Sequence, residues 1–407
     1  MGRSSKKKKW TKRRHVVVRS LLAFTLGPFS RLKYGIRIER FKEQEKRPYF
    51  VLYNHQTPFD QFFVGLSFRG PIYYVATEDI FSKGWISSLI RFLVAPIPFK
   101  KSTADVKAIL NCKKIISEGG TIAIAPEGNR TYSGRTGYIN PSIAPLARKL
   151  GVPIVLYRIE GGYGVQPRWS DAVRRGRMKS YVSSVIMPEE YAKLSDAELY
   201  ARICDGLYVN ESRSDGHFRH KRLAEYAERA LYVCPFCGIS SLESHKDTLE
   251  CLSCHRKVRF NDDRTLSGVG FELPFRFFGD WYDYQESFVN GINAETLREL
   301  SFSPESVQLL EVIPSKSKRL ISKKATIELR AEALVLSYGT ETLTLPFDKI
   351  SATAVLGRNK LNIYAGDKLY QVKGSKRFNA LKFVNLYYRY KNITQGENKS
   401  NVKFLGL

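Results

Sequence analysis

The chain has 407 residues, a hydrophobic content of 43% and a formal net charge of +27. This length fits about two to four domains, and the apolar content excludes a chain that is disordered throughout. The charge favours an anionic partner, which leaves nucleic acid, a membrane surface and acidic small molecules as candidate classes. Of six cysteines, four lie in two CxxC pairs, while Cys112 and Cys204 are isolated. This distribution gives no sign of a disulfide framework and fits a reducing compartment.

Residues 1–48 combine a basic arm with a short apolar segment. The first 14 residues hold eight lysines and arginines and no acidic residue. The apolar segment, residues 15–29, is interrupted by Arg19, is shorter than the ~20 residues that span a bilayer, and has no small-residue cleavage site. We expect an amphipathic helix on an anionic leaflet, which would make the protein peripheral or monotopic on the cytoplasmic face of a membrane. A solvated basic tail is the alternative.

Residues 49–210 alternate between strand and helix patterns. Apolar strand patterns occur at residues 49–53, 72–76, 121–125 and 153–159, and helical patterns at residues 57–67, 79–92, 103–117 and 140–150. Thr57-Pro58 and Asn140-Pro141 are typical of helix starts, and Gly151 is typical of a helix end. The alternation predicts an α/β domain whose mostly parallel sheet is flanked by helices. In such sheets ligands bind beyond the carboxyl ends of the strands.

Two unusual strings directly follow predicted strands: Asn54-His55-Gln56-Thr57-Pro58-Phe59-Asp60 and Pro126-Glu127-Gly128-Asn129-Arg130. Histidine suits general-base chemistry near neutral pH, and a carboxylate such as Asp60 can fix its tautomer if the loop folds back. No serine or cysteine stands out as a nucleophile, so the pair would activate a hydroxyl of the substrate. Bland alternatives stay open, since Asp60 also completes a capping box with Thr57, and the second string can be an ordinary turn.

Together, in order and spacing, the two strings resemble the first and third motifs of the glycerolipid acyltransferases, typified by 1-acylglycerol-3-phosphate acyltransferases. Residues 95–101 (APIPFKK) and 151–155 (GVPIV) fall at the second and fourth motifs. The resemblance covers about residues 15–210 and implies the glycerolipid acyltransferase fold. Two departures concern the acyl acceptor. Lys101 stands where the second motif usually ends in arginine, and Asn129 replaces the common threonine.

The resemblance implies acyl transfer from a thioester of coenzyme A or acyl carrier protein to the free hydroxyl of 1-acylglycerol-3-phosphate, giving phosphatidic acid. His55 would take the hydroxyl proton, and Asp60 would orient His55. The substrate-binding residues would be Lys101, Glu127, Gly128 and Arg130. An acyltransferase for another lysophospholipid or glycerol phosphate is one alternative, and a non-catalytic lipid-binding adaptor is another. A further basic group (Arg168, Arg174, Arg175, Arg177 and Lys179) either serves an anionic headgroup or forms a solvated surface, which the sequence slightly favours.

Residues 211–260 contain the CxxC pairs, preceded by a predicted charged helix at residues 218–231. Cys234 and Cys237 are followed after thirteen residues by Cys251 and Cys254. This spacing is typical of a zinc ribbon, in which four thiolates surround one metal ion. Four thiolates leave no open coordination position, so we expect a structural zinc without chemistry. A redox pair is the alternative.

The rest of the chain divides into a mixed connector, residues 261–322, and a β-rich region closed by one helix, residues 323–407. Strands are predicted at residues 326–329, 333–338, 341–346, 361–364 and 369–372, and the helix at residues 376–390. By pattern alone this region resembles a pleckstrin-homology-like or GRAM-like domain. The positive charge is densest in the first 14 residues, far from the ribbon. We therefore expect as partners an anionic membrane surface, the acyl acceptor and the acyl donor, and no nucleic acid.

Overall fold

The computed structural model describes residues 9–43, 47–81, 85–99, 106–213, 216–313 and 317–395. The chain divides into two units, each built from separate stretches. Unit 1 consists of Met1–Glu127, Ile139–Glu160 and Met178–Val209. Unit 2 consists of Gly128–Tyr138, Gly161–Arg177 and Asn210–Leu407.

A seven-stranded sheet forms the centre of unit 1. Its strands are β1 (Ile36–Ile38), β2 (Phe50–Tyr53), β3 (Ile72–Thr77), β4 (Ile97–Phe99), β5 (Thr121–Ile124), β6 (Ile154–Glu160) and β7 (Met178–Ile186). The order across the sheet is β1-β7-β6-β2-β5-β3-β4. Strands β2 to β6 are mutually parallel, and β7 runs antiparallel to β6. The predicted mostly parallel sheet is confirmed, and β2 lies near its middle between β5 and β6.

Helices flank this sheet and connect its strands. The first eight helices along the chain are α1 (Arg13–Tyr34), α2 (Asp60–Ser67), α3 (Trp85–Val94), α4 (Val106–Ser117), α5 (Ile143–Leu150), α6 (Gly162–Val165), α7 (Pro188–Tyr191) and α8 (Asp196–Leu207), of which only α6 belongs to unit 2. Buried side chains of β2, β5 and β6, such as Leu52, Ile122 and Leu156, form the core. Strands buried on both faces read as continuous apolar runs, which is why they were predictable.

The first helix, α1, is longer than the predicted apolar segment. It has 22 residues, ends at Tyr34 and is capped by Gly35, whose φ of 60° is the left-handed conformation that glycine adopts readily. Several of its apolar side chains face solvent, and Phe24 is 81% exposed. Across the described ranges, none of the helices combines the length and the apolar character that crossing a bilayer requires.

The CxxC region of unit 2 is built from short strands. They are β8 (Val233–Cys234), β9 (Gly238–Ile239), β10 (Leu242–His245), β11 (Thr248–Cys251), β12 (Lys257–Phe260) and β13 (Leu266–Gly268). Strands β8 and β9 form a hairpin, and β10 to β13 form an antiparallel sheet in chain order. Each CxxC pair therefore begins at the end of a strand of a small sheet.

The helix predicted at residues 218–231 does not form. In its place the described residues form loops and a 3-10 turn, Ala227–Arg229. Long-range contacts hold this backbone: Phe218 is buried, and Arg219 exchanges two backbone hydrogen bonds of 2.9 Å with Arg175. These tertiary interactions outweigh the modest helix propensity of charged residues.

The C-terminal part of unit 2 is an antiparallel sheet with helices. Its elements are α9 (Phe278–Asn290), α10 (Ala294–Glu299), β14 (Ser301–Ile313), β15 (Ser317–Arg330), β16 (Ala333–Tyr338), β17 (Glu341–Pro346), β18 (Ile350–Leu356), β19 (Lys360–Ala365), β20 (Lys368–Gly374) and α11 (Ala380–Gln395). The strand order is β17-β16-β15-β14-β20-β19-β18. The β-rich region closed by one helix is confirmed, as a single sheet in which a four-strand and a three-strand meander join through β14 and β20.

Two strands of this sheet were not predicted. Strand β14 lies in the stretch that was read as a connector, and β18 was missed. Only three of the thirteen residues of β14 are buried, so its sequence carries little apolar alternation. Its pairing with β15 and β20 is what makes it a strand. Pairing with neighbouring strands stabilises β14, although its own sequence has little preference for a strand.

Candidate active site and metal centre

Both sequence strings begin at the same edge of the sheet of unit 1. Strand β2 ends one residue before Asn54, and the parallel neighbour β5 ends shortly before Glu127. Adjacent parallel strands bring their carboxyl ends together, and there the Glu127 carboxylate accepts a hydrogen bond of 2.6 Å from the backbone N–H of His55. On the other side of β2, the Asn54 amide pairs with the backbone of Ile159 at 2.9 Å and 2.7 Å. The loop that carries His55 is thus fixed from both neighbouring strands.

Asp60 is fully buried and collects hydrogen bonds from the loop that precedes it. Its Oδ2 lies 2.7 Å from Nδ1 of His55 and accepts the backbone N–H of Gln56 at 2.6 Å. Its Oδ1 accepts the Thr57 hydroxyl at 2.6 Å, and the Thr57 N–H contacts both oxygens at 2.9 Å. Both carboxylate oxygens of this buried group are therefore occupied by donors from the loop that carries His55.

The start of α2 differs from the prediction for a physical reason. The α-helix begins at Asp60 instead of Thr57. The segment between them turns around the Asp60 carboxylate, which binds the imidazole of His55 and two loop N–H groups at once. Asp60 therefore does both things that the sequence left open: it organises the turn before the helix and it contacts His55.

This geometry gives the two ring nitrogens of His55 different roles. A carboxylate at Nδ1 requires the proton on that nitrogen, so in the neutral ring Nε2 carries the lone pair that accepts a proton. The side chain is 22% exposed, so it is accessible from solvent. In the described part of the chain no hydrogen bond joins the imidazole to a serine or cysteine. Burial and the Asp60 carboxylate raise the pKa of the neighbouring Tyr53, which keeps that hydroxyl neutral. The arrangement can activate a hydroxyl brought by a substrate.

The second string is divided between the two units. Glu127 belongs to unit 1, whereas Gly128 and Arg130 belong to unit 2. Gly128 has a φ of 70°, the left-handed conformation that favours glycine at this turn. The structure thus brings together His55, Asp60 and Glu127. Lys101, the fourth predicted substrate contact, lies outside the described residues.

Arg168 holds the loop that carries Arg130, a role that the sequence did not indicate. Its guanidinium donates to the Arg130 carbonyl at 3.0 Å, to Oδ1 of Asn129 at 3.2 Å and to the Val355 carbonyl of β18 at 3.0 Å. The residue is 3% exposed. The solvated-surface interpretation is wrong for Arg168, and also for Arg174, whose buried guanidinium donates to the carbonyls of Gly164 and Leu223. Asn129, which departs from the family motif, is the amide that Arg168 recognises.

The four cysteines of the CxxC pairs converge on one point. Their sulfur atoms all lie within 4.8 Å of one another, with Cys234–Cys254 at 3.9 Å and Cys237–Cys251 at 4.0 Å. Four sulfurs bound tetrahedrally to zinc at about 2.3 Å would be about 3.8 Å apart. The donor set therefore fits a tetrahedral metal ion. His255 is exposed and pairs with Glu250 at 3.2 Å, apart from this set.

Comparison with known proteins supports the class that this site suggests. The sequence model of the acyltransferase family matches residues 34–159. A chloroplastic 1-acyl-sn-glycerol-3-phosphate acyltransferase of Arabidopsis thaliana is 24% identical over 164 residues, which are 39% of this chain and 44% of that protein. A chloroplastic enzyme of the same name from Brassica napus is 26% identical over 123 residues, 30% of this chain and 35% of that protein.

Among solved structures, the 1-acyl-sn-glycerophosphate acyltransferase PlsC of Thermotoga maritima aligns with a TM-score of 0.39 and 19% identity, covering 48% of this chain and 80% of that one. The chain spans less than half the length of the two plant relatives. The region of unit 1 that carries the His–Asp pair is an acyltransferase domain.

Proposed function

We propose that this protein is an O-acyltransferase that moves an acyl group from a thioester to the free hydroxyl of 1-acylglycerol-3-phosphate and so makes phosphatidic acid. The observation that carries the proposal is the 2.7 Å contact between Nδ1 of His55 and the buried Asp60 carboxylate at the carboxyl end of β2. The two plant relatives, named as acyltransferases for this acceptor, support the choice of substrate. Acyl thioesters of coenzyme A and of acyl carrier protein both have the chemistry that the acyl donor requires.

The chemical step follows from the geometry of the pair. Nε2 of His55 removes the hydroxyl proton as the acceptor oxygen attacks the thioester carbonyl. The tetrahedral adduct then collapses, the carbon–sulfur bond breaks, and the proton on His55 passes to the departing thiolate. Asp60 keeps Nδ1–H in place and stabilises the imidazolium between these transfers. A positioned base of this kind contributes about 10²–10⁴-fold in rate.

We propose that the second string binds the acceptor. Arg130 follows Glu127 by three residues in the chain, and a guanidinium suits a phosphate because it can donate two parallel hydrogen bonds. Lys101 would add a second positive charge, and Gly128 would let the acceptor approach the backbone. The hydrogen bond from His55 N–H gives Glu127 a further role, holding the histidine loop in place.

Membrane docking through unit 1 is part of the proposal. On α1, Leu21 is 64% and Leu32 89% exposed, and on α3, Trp85 is 75% exposed. The guanidinium of Arg14 on α1 lies 3.9 Å from the ring centroid of Phe92 on α3, so the two helices are neighbours. Exposed apolar side chains beside basic ones are typical of helices that lie in an anionic interface. The cytoplasmic leaflet is the surface that this composition fits.

We propose that the four-cysteine cluster holds one structural zinc ion. Zinc prefers four thiolates in tetrahedral geometry, and the distances between the sulfurs accommodate it. Its contribution would be to the folding of the ribbon, since metal binding in such modules is coupled to folding.

The test of the proposed activity is thioester consumption by the purified full chain. The assay offers acyl-coenzyme A and acyl carrier protein thioesters with a panel of lysophospholipids and glycerol phosphate. We expect consumption that is greatest with 1-acylglycerol-3-phosphate and is lost in folded His55→Ala. A wild-type protein that binds vesicles but consumes no thioester with any acceptor would contradict the proposal and favour the lipid-binding adaptor.

A further inference from the structure

A groove of about 1030 Å³ lies in unit 1 along the side of α1. Its opposite wall is made by the chain that follows β1 and by the carboxyl end of α2. It shares no residue with the His55–Asp60 loop or with Glu127. Helix α2 begins at Asp60 and reaches the groove only at Leu66, about 9 Å further along at 1.5 Å per residue. The groove is therefore a feature separate from the candidate active site.

The polar part of the groove is positively charged. Its basic lining residues are Arg19, Arg31, Arg40, Lys42 and Arg69. In the described part of the chain no carboxylate lines the groove and no ion pair involves any of these five side chains. The neighbouring acid Glu43 contacts Arg47 instead, at 3.4 Å. Glu43 also accepts the backbone N–H of Arg69 at 3.4 Å and attracts Arg19. The five cations still outnumber this acid, and a bound anion would balance the remaining positive charge.

Arg19 is a groove residue that both burial and neighbouring positive charges destabilise in its charged form. Burial lowers its pKa, and the positive charges of Arg47 and Arg40 lower it further. One of its terminal nitrogens donates to the carbonyl of Phe68, while its buried Nε has no hydrogen-bond partner. An unpartnered donor on a partly buried guanidinium is unfavourable, and an anion bound beside Arg19 would offset the like charge of its neighbours.

The apolar part of the groove distinguishes a lipid from a soluble phosphate. Its aromatic lining residues are Phe24, Phe41 and Phe68. The lining runs from Arg19 to Arg31 of α1, about 18 Å at 1.5 Å per residue, and Phe24 is 81% exposed at its margin. A soluble phosphate would leave these walls exposed to water, whereas a lipid tail would cover them.

We propose that this groove binds one anionic phospholipid that carries a phosphate monoester, with the phosphate on the arginines and an acyl chain along the aromatic side chains. The site is non-catalytic and recognises a membrane lipid of the phosphatidate type. It would make attachment of unit 1 depend on the kind of anionic lipid and not only on surface charge. This inference stands independently of the acyl-transfer reaction.

The experiment compares two double variants of the full chain by vesicle sedimentation. Arg40→Gln/Arg69→Gln removes two exposed charges from the groove, and Arg37→Gln/Lys193→Gln removes two exposed charges of unit 1 that do not line it. The vesicles are phosphatidylcholine alone, phosphatidylcholine with phosphatidate, and phosphatidylcholine with phosphatidylserine adjusted to the same zeta potential. Thermal melting confirms that each variant is folded, and Arg31→Gln/Lys42→Gln replaces the groove variant if it is not.

We expect wild type and control variant to prefer phosphatidate over phosphatidylserine, and the groove variant to lose about tenfold or more of its affinity for phosphatidate. Equal binding of the two anionic lipids by wild type, or equal losses in both double variants, would overturn the proposal in favour of diffuse electrostatics. Release from phosphatidate vesicles by glycerol 3-phosphate would overturn the lipid assignment in favour of a soluble phosphate. Failure of the proposed activity would instead appear as no thioester consumption by wild type, which leaves this binding result intact.

Discussion

At the scale of single residues, the carboxylate of Asp60 determines the local structure of the candidate active site. It binds the imidazole of His55 and the backbone N–H groups of Gln56 and Thr57. A single buried group therefore sets the tautomer of the histidine and the shape of the loop that carries it. We expect removal of the Asp60 charge to affect the proposed chemistry, and removal of one of its neutral partners to affect mainly the loop.

Asp60→Asn should lower kcat for acyl transfer by about 10²-fold or more, because the amide keeps the shape but does not stabilise an imidazolium. Thr57→Ala is the matched control, since it removes a neutral hydroxyl that donates to Asp60 and accepts the backbone N–H of Phe59, and leaves the Asp60 charge in place. We expect it to cost about 1 kcal/mol of stability and less than tenfold in kcat. Steady-state kinetics on variants with known melting temperatures measure both. An Asp60→Asn protein with near wild-type kcat would leave Asp60 with a structural role only.

At the scale of elements, the loop that carries Arg130 is anchored to the C-terminal sheet. Arg168 connects the backbone of Arg130 and the side chain of Asn129 with the carbonyl of Val355 in β18. Its guanidinium also lies 4.3 Å from the ring centroid of Tyr132. The planar guanidinium of an arginine carries several donors and can make these contacts at the same time, whereas the ammonium group of a lysine cannot. The geometry makes Arg168 a positioning residue for Arg130.

Arg168→Lys should raise the KM for the acceptor about three- to tenfold with little change in kcat, because acceptor binding is weakened before and during reaction alike. Arg175→Lys is the control, since Arg175 is an exposed arginine a few residues away. Initial rates against acceptor concentration give the two parameters. A lower melting temperature with an unchanged KM would show that Arg168 supports the fold without positioning Arg130.

Helix α9 contributes a carboxyl group whose titration affects stability. Burial raises the pKa of Glu286 to about 7, and Arg135 opposes the shift. In the unfolded chain a glutamate has a pKa of about 4.3. The folded state thus holds a proton that the unfolded state releases between these values, so this contribution to stability is present below about pH 4.3 and is lost as pH rises through 7.

Glu286→Gln should therefore stabilise the protein at pH 8 by on the order of 1–3 kcal/mol and change its stability little at about pH 4, below the pKa of the unfolded chain. Glu295→Gln, at an exposed position of α10, should have no such pH-dependent effect. Chemical denaturation at the two pH values measures the difference. Equal effects of Glu286→Gln at both would contradict the raised pKa.

At the scale of the whole molecule, each unit has its own continuous core. In unit 2 the buried side chains run without a break from Trp169 through Val233 and Cys234 of the ribbon to Leu334 and Tyr387 of the C-terminal sheet and helix. Polar contacts follow the same path: the Asn385 amide donates to the Tyr232 hydroxyl at 2.9 Å. The ribbon is therefore part of a larger unit, and a metal ion bound by its four cysteines should stabilise more than the ribbon alone.

Chelation of the metal, or Cys237→Ser, should lower the melting temperature of unit 2 and change the fluorescence of Trp281, whose indole donates to the Val233 carbonyl at 2.8 Å next to Cys234. Cys204→Ser, outside the cluster, is the thiol control. Elemental analysis of freshly purified protein should find one zinc per chain. Protein that contains no zinc, or whose melting and fluorescence do not respond to chelator, would sink the structural role.

Local patterns in the sequence determined much of unit 1. The strands of its parallel sheet are buried on both faces, so their apolar runs stand out, and glycine and proline mark where helices begin and end. The spacing of His55 and Asp60 placed both in one loop, and the structure joins them by a hydrogen bond. The spacing of the four cysteines likewise predicted one cluster, and in the structure their sulfur atoms lie together. The catalytic role of the histidine stays a prediction.

Tertiary structure alone decided the features that depend on partners distant in the chain. The charged stretch at residues 218–231 has helical composition, yet backbone bonds to Arg175 hold it as a loop. Strand β14 has little apolar alternation and exists because β15 and β20 pair with it. In the sequence Arg168 resembles a surface charge. In the structure it donates to the carbonyls of Arg130 and Val355 and to the side-chain oxygen of Asn129. Sequence pattern reports local burial and turns, whereas these outcomes depend on hydrogen bonds and charges whose partners only the folded chain brings close.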